Sequence, residues 1–423
     1  HTGSLSLKLR STPEGKFRQL KVEGLVPAGP KGNPELPVRS RLIQVPADAG
    51  VRVTVHGFDE QIISLNQQGI PQKIFPVQPS KVKHSEGNPE KFYFSREIYK
   101  ADRFIGQDLV SINMLGFMRD LKLARLQVAP VQYNPARNQL RVISNLEFEV
   151  RFTGQGDAKG KKPAHHLNSY FKPLQGQLLN AKNLSLQTDS SNEPVSYVVV
   201  APPAYRQVLQ PFIKWKQTRG FHVVEAYTDS IGQSRQEIYQ FLKTTYRDPE
   251  VTPHTFVLLV GDVEQIPAWE GSTGSHVTDF HYGEYTDDWL PEAYCGRFPA
   301  RDTASLRHMI DKTIRYEKFQ FDNPGYLEEA LLVAGDDDSY EDTYANGQIN
   351  YATEYYFNAG NGFRAHAFLQ DPPQGNSAIH DSIMYHMNKG VGFATYTAHC
   401  SSNGWNLPRF STSDLEGVEA NGR

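Results

Sequence analysis

The apolar residues of this chain change their spacing part of the way along, and that change limits the folds open to it. Up to about residue 153, apolar and polar residues alternate in short runs, which is typical of half-buried antiparallel strands. The clearest runs cover 17–22, 51–55, 140–143 and 146–150. Turn-forming residues such as Pro34, Pro135 and Asn145 separate the runs, and no amphipathic helix pattern intervenes. Residues 1–153 are therefore predicted to form a β-rich, β-sandwich-like domain.

From residue 195 to residue 423, continuous apolar strands alternate with amphipathic helices. Predicted strands cover 197–201, 221–227, 256–260, 330–334, 363–369 and 391–397. Predicted helices cover 205–220, 235–246, 305–318, 350–358 and 377–389. Buried strands joined by helices indicate an α/β domain with a mostly parallel sheet that is covered by helices on both faces. In such sheets the functional groups gather beyond the carboxyl ends of the strands.

Residues 154–194, between these two regions, are polar and contain few apolar anchors. They include Gly154, Gly156 and a basic cluster at Lys159–Lys162. This composition predicts an exposed linker that proteases can cut during processing. The basic cluster is interpreted as solvated surface rather than as a nucleic-acid patch.

The charge balance excludes a general polyanion-binding protein. There are 44 Lys and Arg residues against 47 Asp and Glu, a net charge of -3, so no nucleic-acid partner is expected.

No apolar run approaches the roughly 18 residues of a membrane span, and residues 1–10 lack the apolar core of a signal peptide. The protein is therefore either cytosolic or has already lost a targeting segment. Its two cysteines, Cys295 and Cys400, exclude a disulfide scaffold and a cysteine-rich metal cluster.

Four predicted strands are followed by polar groups, at Asp262, at Asp336–Asp338, at Asp371 and at His399. His399 is the most specific of these, because a neutral histidine beyond a buried strand can act as a general base. It requires an acid to orient it, and Asp336–Asp338 follow a neighbouring strand. A histidine that merely caps a turn is the alternative.

Neither cysteine suits the role of nucleophile for this base. Cys400 directly follows His399, and consecutive side chains leaving a strand diverge. Cys295 is expected to pack as a small apolar residue. A nucleophile on the strand after His399 is physically easier. A loop, a helix and that next strand require roughly 25–35 residues, and the 24 residues that follow His399 are too few for them.

Several segments taken together resemble the gingipain family of cysteine endopeptidases, which have a caspase-like fold, and the similarity is greatest to its lysine-specific branch. The segment Thr395–His399, followed by Trp405, resembles the family's catalytic-histidine segment. Further similar segments, in family order, are Val277–Asp279, Pro291–Tyr294, Ile310–Lys312, Tyr316–Lys318 and Leu332–Gly335. Upstream, Gly32–Val38 and Pro130–Pro135 resemble the family's inhibitory propeptide, so the resemblance covers both halves of the chain.

The resemblance implies a role for three residues at the active site. His399 is the general base, and Asp337 is the acid that orients it. Cys400 stands where the family usually has a glycine whose N–H lines the oxyanion hole. The family nucleophile lies on the strand after the histidine, and no residue of this chain matches it.

The resemblance also implies a calcium site and an inhibitory contact. Family members bind calcium through loop carboxylates, here Asp287, Asp288 and Glu292, for which an ion-free acidic loop is the alternative. In family zymogens a basic propeptide residue fills the S1 pocket. Arg119 is the residue predicted for that role, with Arg125 as its rival and an ordinary surface arginine as the alternative.

These features predict the zymogen, or the processed N-terminal chain, of a secreted gingipain-like cysteine endopeptidase. Its expected partners are a peptide or protein substrate, its own propeptide as inhibitor, and a C-terminal chain that carries the nucleophile beyond Arg423. Its expected location is outside the cell or on the outer-membrane surface of a Gram-negative bacterium. The alternatives are a sortase-like transpeptidase of the type IX secretion system and a pseudo-protease or binding module without a nucleophile.

Overall fold

The computed structural model describes residues 5–79, 91–119, 121–153, 169–181, 195–248, 251–271, 276–335, 344–370, 377–401 and 403–418. The chain divides into two compact units, His1–Ile310 and Asp311–Arg423. The division falls inside a helix and not in the predicted linker, so the β-rich region and the first parallel strands share one unit.

The β-rich region of the first unit consists of antiparallel strands. Its strands are β1 (Leu5–Thr12), β2 (Gly15–Val22), β3 (Val26–Ala28), β4 (Leu36–Val45), β5 (Gly50–Ser64), β6 (Val110–Met118), β7 (Leu121–Val128), β8 (Val131–Asn134) and β9 (Gln139–Thr153). They form a β1-β2 hairpin, a sheet of order β3-β4-β7-β6 and a sheet of order β5-β9-β8.

The two larger sheets of this region share an apolar core. Ile43 and Leu126 from one sheet are buried in a cluster with Val51, Phe148 and Val150 from the other. Alternate side chains of a strand point to opposite faces, so each sheet supplies one apolar face to this core. The prediction of a β-rich N-terminal region is confirmed.

Asn145 does not separate two strands as predicted. It lies within the continuous strand β9 with φ 47°, and its side chain donates a hydrogen bond to Asp59 Oδ2 at 2.6 Å. The register of β5 against β9 shifts on either side of Gly57, near this point. Asparagine tolerates positive φ, so it serves at an irregularity in a ladder as readily as in a turn.

The first unit also contains a parallel sheet. Its elements are α1 (Lys172–Gly176), β10 (Val195–Ala201), α2 (Arg206–Thr218), β11 (Phe221–Tyr227), α3 (Thr228–Ile231), α4 (Arg235–Arg247), β12 (His254–Val260), β13 (Trp269–Glu270), β14 (Val277–Thr278), β15 (Tyr294–Phe298) and α5 (Thr303–Glu317), which crosses into the second unit. The order is β11-β10-β12-β15 with every pair parallel. Helix α4 packs Ile238 and Leu242 against Val198, Val200 and Leu259.

The second unit contains a further parallel sheet. Its elements are β16 (Glu329–Ala334), α6 (Asn346–Tyr355), β17 (Arg364–Phe368), α7 (Ser377–Lys389), β18 (Phe393–Thr397), β19 (Cys400–Ser401), β20 (Gly404–Trp405), β21 (Phe410–Ser411) and α8 (Thr412–Glu416). The sheet order is β17-β16-β18, and β19, β20 and β21 form a small antiparallel sheet. Ile349 of α6 packs with Leu332, and Ile383 of α7 packs with Leu331 and Val333. Parallel pairing was predicted correctly, whereas the described strands form two sheets and not one.

Part of the predicted linker is packed rather than exposed. Within residues 169–181, Phe171 and Leu178 are buried, and Leu178 clusters with Leu121 and Leu123 of β7. The Leu179 N–H also donates to a main-chain carbonyl of the β-rich region. Residues 169–181 are therefore anchored by Phe171 and Leu178 while Tyr170 and Leu179 stay exposed, and single apolar anchors in a polar stretch give no periodic signal.

Among the described residues, no helix is both long and apolar enough to cross a membrane.

Candidate active site

The carboxyl ends of β16 and β18 bring two predicted catalytic segments to one edge of the second unit's sheet. The strands pair in parallel, and their last residues, Ala334 and Thr397, are opposite each other. The Gly335 N–H then donates to Thr397 O at 3.1 Å. His399 follows Thr397 by two residues, so it leaves the sheet at this edge, where parallel α/β sheets carry their functional groups.

The main chain at His399 is fixed by its neighbours. The carbonyl oxygen of His399 accepts the Tyr396 hydroxyl at 2.8 Å and the Asn406 N–H at 3.2 Å. The Tyr396 ring is stacked on Trp405 with centroids 4.5 Å apart and planes 5° apart. Because Trp405 also lies on β20, which pairs with β19, the strand–loop–strand segment around His399 is held on both sides.

Gly335 is required by the close approach of this loop. A Cβ at this position would lie 2.4 Å from the Tyr396 hydroxyl oxygen and 2.4 Å from the Ala398 Cβ. Real Cβ atoms do not come that close to other atoms, so only glycine allows β16 to end against the His399 segment.

Asp337, the predicted orienting acid, lies outside the described residues, as do Asp336, Asp338 and Asp371. Asp337 follows Ala334 by three residues, and His399 follows the paired Thr397 by two. The pairing of His399 with Asp337 stays a prediction.

The two cysteines occupy different surroundings. Cys295 lies on β15 and packs against the apolar core of the first unit, where burial raises the pKa of its thiol to about 12. A thiol with that pKa stays protonated and does not act as a nucleophile. Cys400 is exposed and pairs with Trp405 across the small sheet. It is not among the described non-glycine residues with positive φ, so its backbone accepts a side chain where the family usually has glycine.

A polar cluster at the carboxyl ends of β12 and β15 was only partly predicted. Asp262 pairs with Arg301 at 2.9 Å, and this hydrogen bond lowers the pKa of Asp262. Arg297 forms a two-pronged contact with Asp279, at 2.6 and 2.7 Å, and also donates to Gly261 O. The contacts of Arg297 secure the loop after β12, and nothing in the spacing of charges along the sequence indicates this pairing.

Arg119 lies in the turn between β6 and β7 and is only 4% exposed. Its guanidinium group donates to the carbonyl oxygens of Pro253, His254 and Glu292, which lie in the part of the first unit that contains the parallel sheet. It is therefore not the surface arginine of the alternative interpretation. Its rival, Arg125, is exposed on β7.

Two of the three carboxylates predicted to bind calcium, those of Glu292 and Asp287, contact other protein groups and not each other. Glu292 is fully buried, and its carboxylate accepts the Tyr285 N–H at 2.6 Å and the Thr286 hydroxyl at 2.9 Å. Burial raises the pKa of Glu292 to about 7. The side chain of Asp287 is 78% exposed and lies 3.3 Å from Lys243 Nζ.

The third carboxylate, Asp288, accepts the N–H groups of Phe117 and Leu290. Across the described part of the chain, no group of three or more His, Cys, Asp or Glu side chains could hold a metal ion. The three carboxylates as placed do not fit a shared calcium site, and calcium stays a prediction from the sequence.

Comparison with known proteins identifies both halves of the chain. The family model described as peptidase family C25 matches residues 190–422, and the model of the propeptide of that family matches residues 4–170. Among curated proteins, Lys-gingipain W83 from Porphyromonas gingivalis is 34% identical over 414 residues, which cover 96% of this chain and 23% of that protein. Gingipain R2 from Porphyromonas gingivalis (strain ATCC BAA-308 / W83) is 26% identical over 91% of this chain and 51% of that protein.

Among solved structures, one that concerns the zymogenic latency of gingipain K from Porphyromonas gingivalis has a TM-score of 0.34 and 39% identity. It covers 36% of this chain and 82% of that chain. The present chain spans about a quarter of the length of the Lys-gingipains that it matches. The two family matches follow each other along the sequence and together cover most of it, and the chain therefore belongs to peptidase family C25, with the propeptide region of that family preceding its peptidase region.

Proposed function

We propose that this chain is the zymogen, or the N-terminal chain after processing, of a secreted cysteine endopeptidase related to the gingipains. The observation that carries the proposal is the order of the two family matches, propeptide then peptidase, together with His399 at the carboxyl edge of a parallel sheet. The curated relatives reported above are gingipains, which favours an endopeptidase over the transpeptidase and pseudo-protease alternatives.

We infer that the peptidase region has a caspase-like fold with helices on both faces of its sheet. In support, α6 and α7 pack against alternate residues of β16, Leu332 for α6 and Leu331 and Val333 for α7. We also infer that the propeptide region inhibits the peptidase until it is removed, and that the protein acts outside the cell or on the outer-membrane surface.

In the proposed reaction, the His399 imidazole takes the proton of a cysteine thiol, and Asp337 orients the ring. The thiolate attacks the carbonyl carbon of the scissile peptide bond, and the Cys400 N–H contributes to stabilising the resulting oxyanion. Collapse of the tetrahedral intermediate releases the amine, which takes the proton from the imidazolium. Water, deprotonated by the same imidazole, then hydrolyses the acyl-enzyme.

We place the nucleophile on a cysteine outside these 423 residues, because neither cysteine of the chain fits the role. Cys295 is half-buried against the apolar core, which raises the pKa of its thiol to about 12. Cys400 directly follows the base in sequence, and its side chain is exposed on a short strand. The region that supplies the nucleophile is the partner that the proposal requires.

The test uses the complete processed protein and peptides that carry a fluorogenic group after lysine or arginine. His399→Gln is expected to lower kcat/KM by roughly a thousandfold or more, since it removes the base that activates the thiol. His380→Gln is the matched control, because His380 lies on α7 and pairs with Asp414. An unchanged rate for His399→Gln, or equal losses in the two variants, would contradict the assignment.

A further inference from the structure

An arginine in the turn between β6 and β7 of the propeptide region extends its side chain into the peptidase region. Arg119 has φ 54°, an unusual conformation for a residue other than glycine, asparagine or aspartate. Its side chain is nonetheless almost fully buried, 4% exposed. Burying a charged arginine is unfavourable unless its donors are satisfied, so this conformation indicates a site shaped to receive it.

The receiving site is built largely from main-chain oxygens. Arg119 Nη1 donates to His254 O at 3.0 Å and to Glu292 O at 3.3 Å, and Nη2 donates to Pro253 O at 3.1 Å. The face of the Phe171 ring lies 5.3 Å from the guanidinium carbon. Three carbonyls and one ring face suit a flat cation with several divergent donors, which is the geometry of a guanidinium group and not of an ammonium group.

These oxygens are held in place by contacts that do not involve Arg119. His254 begins β12, and its ring nitrogen Nε2 lies 2.7 Å from the Tyr285 hydroxyl. The loop that ends at Glu292 is fixed by its own side chains, since the Glu284 carboxylate accepts the N–H groups of Thr286 and Asp288. The site is therefore preorganised by the peptidase region.

The location of the site separates it from the carboxyl edge of the sheet. The carbonyls of Pro253 and His254 stand at the start of β12, and Glu292 lies just before β15. Six residue steps along β12 correspond to about 20 Å between this edge and the carboxyl edge near Asp262. Functional groups of parallel sheets gather at the carboxyl edge, so Arg119 acts here as an anchor.

We propose that the peptidase region carries a guanidinium-binding site, formed by its carbonyl oxygens of Pro253, His254 and Glu292 and completed by the ring of Phe171 from the segment that precedes it. Arg119 fills this site and fastens the propeptide region to the peptidase region within the first unit. The ligand class is the arginine side chain, supplied here by the same chain. This inference does not depend on the proposed peptidase activity, because it concerns binding and stability alone.

The test measures the thermal unfolding midpoint of the full 423-residue chain. Arg119→Ala is expected to lower the first transition by about 5 °C, since it removes several charged hydrogen bonds. Arg119→Lys should lose most of the same stabilisation, because an ammonium group cannot reach all three carbonyls. Arg125→Ala removes an exposed arginine from the neighbouring strand and is expected to leave the midpoint unchanged.

Chemical rescue then distinguishes a guanidinium site from a merely structural contact. Millimolar methylguanidinium should reverse at least half of the decrease in the unfolding midpoint of Arg119→Ala, whereas methylammonium should not. Neither cation should change the unfolding midpoint of Arg125→Ala. If Arg119→Ala does not fold alone, the yield of folded chain on refolding with each cation gives the same comparison. Equal effects of the two cations, or a wild-type midpoint for Arg119→Lys, would overturn the proposal.

Discussion

The backbone N–H of Phe117 donates a hydrogen bond to Asp288 Oδ2 at 2.6 Å, and the same carboxylate occupies the space beside Gly116. Phe117 belongs to the β-rich propeptide region and Asp288 to the peptidase region. A Cβ on Gly116 would lie 2.2 Å from Asp288 Oδ2. The two regions therefore meet at a point where one of them must lack a side chain.

Gly116→Ala is expected to destabilise the full chain by about 2 kcal/mol or more. The added Cβ would clash with Asp288, and the φ of Gly116, +137°, is strained for any other residue. Urea-induced unfolding of the variant measures the loss. Gly57→Ala on β5 is the matched control, because no atom lies within 4 Å of its Cβ position. Similar losses in the two variants would show that the Asp288 contact is not the cause.

The contribution of His254 to the stability of the chain is expected to fall on acidification. Its ring is fully buried, and burial together with the charge of Arg119 lowers its pKa from 6.5 to about 3. Between these values the unfolded state binds a proton at His254 that the folded state does not, so the contribution of this group to the free energy of unfolding decreases as the pH falls from about 6.5 towards 3, whereas the raised pKa of Glu292 acts in the opposite direction. The slope for this one group is at most roughly 1.4 kcal/mol per pH unit.

The check compares the pH dependence of urea unfolding for two variants. His254→Gln keeps a side-chain N–H donor for Tyr285 but cannot titrate, so between roughly pH 7 and pH 5 its free energy of unfolding should fall less, or rise more, than that of the wild type. His222→Gln replaces an exposed histidine on β11 and should retain the wild-type slope. A wild-type slope in His254→Gln would contradict the assignment.

Tyr396→Phe is expected to lower kcat by roughly tenfold with little change in KM. The lost hydroxyl donates to His399 O and to Leu407 O, so its removal loosens the loop that positions the His399 base. Both partners of the hydroxyl are main-chain oxygens of the chain itself, so a change in kcat rather than in KM is expected. The measurement is steady-state hydrolysis by the complete processed protein. Tyr385→Phe on α7, where the ring is 60% exposed, should behave as wild type. A rise in KM alone would indicate a substrate-binding role instead.

The two thiols should react at very different rates. Cys400 is exposed, whereas Cys295 is half-buried against the apolar core and its pKa is raised to about 12, so a disulfide reagent at neutral pH should label the native 423-residue chain far faster at Cys400. Labelling of the unfolded chain should reach both cysteines. Cys400→Ser should leave the native chain unlabelled, and rapid reaction of that variant would show that Cys295 is accessible.

The elements of the peptidase region were predictable where the sequence contains a continuous apolar run. The strand at 221–227 and the helix at 377–389 have the predicted limits, and β16, whose six residues are all buried, was recognised within one residue. The position of His399 after a strand also followed from such a run, although β18, which was predicted to be buried, is exposed or half-buried along its length.

The strand Tyr294–Phe298 was not predicted, because it contains Gly296 and Arg297 and has no apolar periodicity. Arg297 is accommodated there because Asp279 and the carbonyl oxygen of Gly261 accept its hydrogen bonds. The acceptors of Arg119 could not be predicted either, since they are carbonyl oxygens 134 to 173 residues away, and main-chain oxygens have no sequence signature. Contacts of this kind depend on the folded arrangement and not on local pattern.

Because residues 169–181 pack against the arginine site, the position of a cleavage in this part of the chain decides which fragment keeps Phe171. The ring of Phe171 covers the guanidinium of Arg119, and it also stacks on Tyr294 with centroids 4.7 Å apart. A cut before residue 169 leaves this ring attached to the peptidase fragment, whereas a cut after residue 181 leaves it attached to the propeptide fragment. Two processing products of nearly equal length would thus differ in which fragment contains the Phe171 ring. Only the peptidase fragment from a cut before residue 169 would retain affinity for a new arginine side chain.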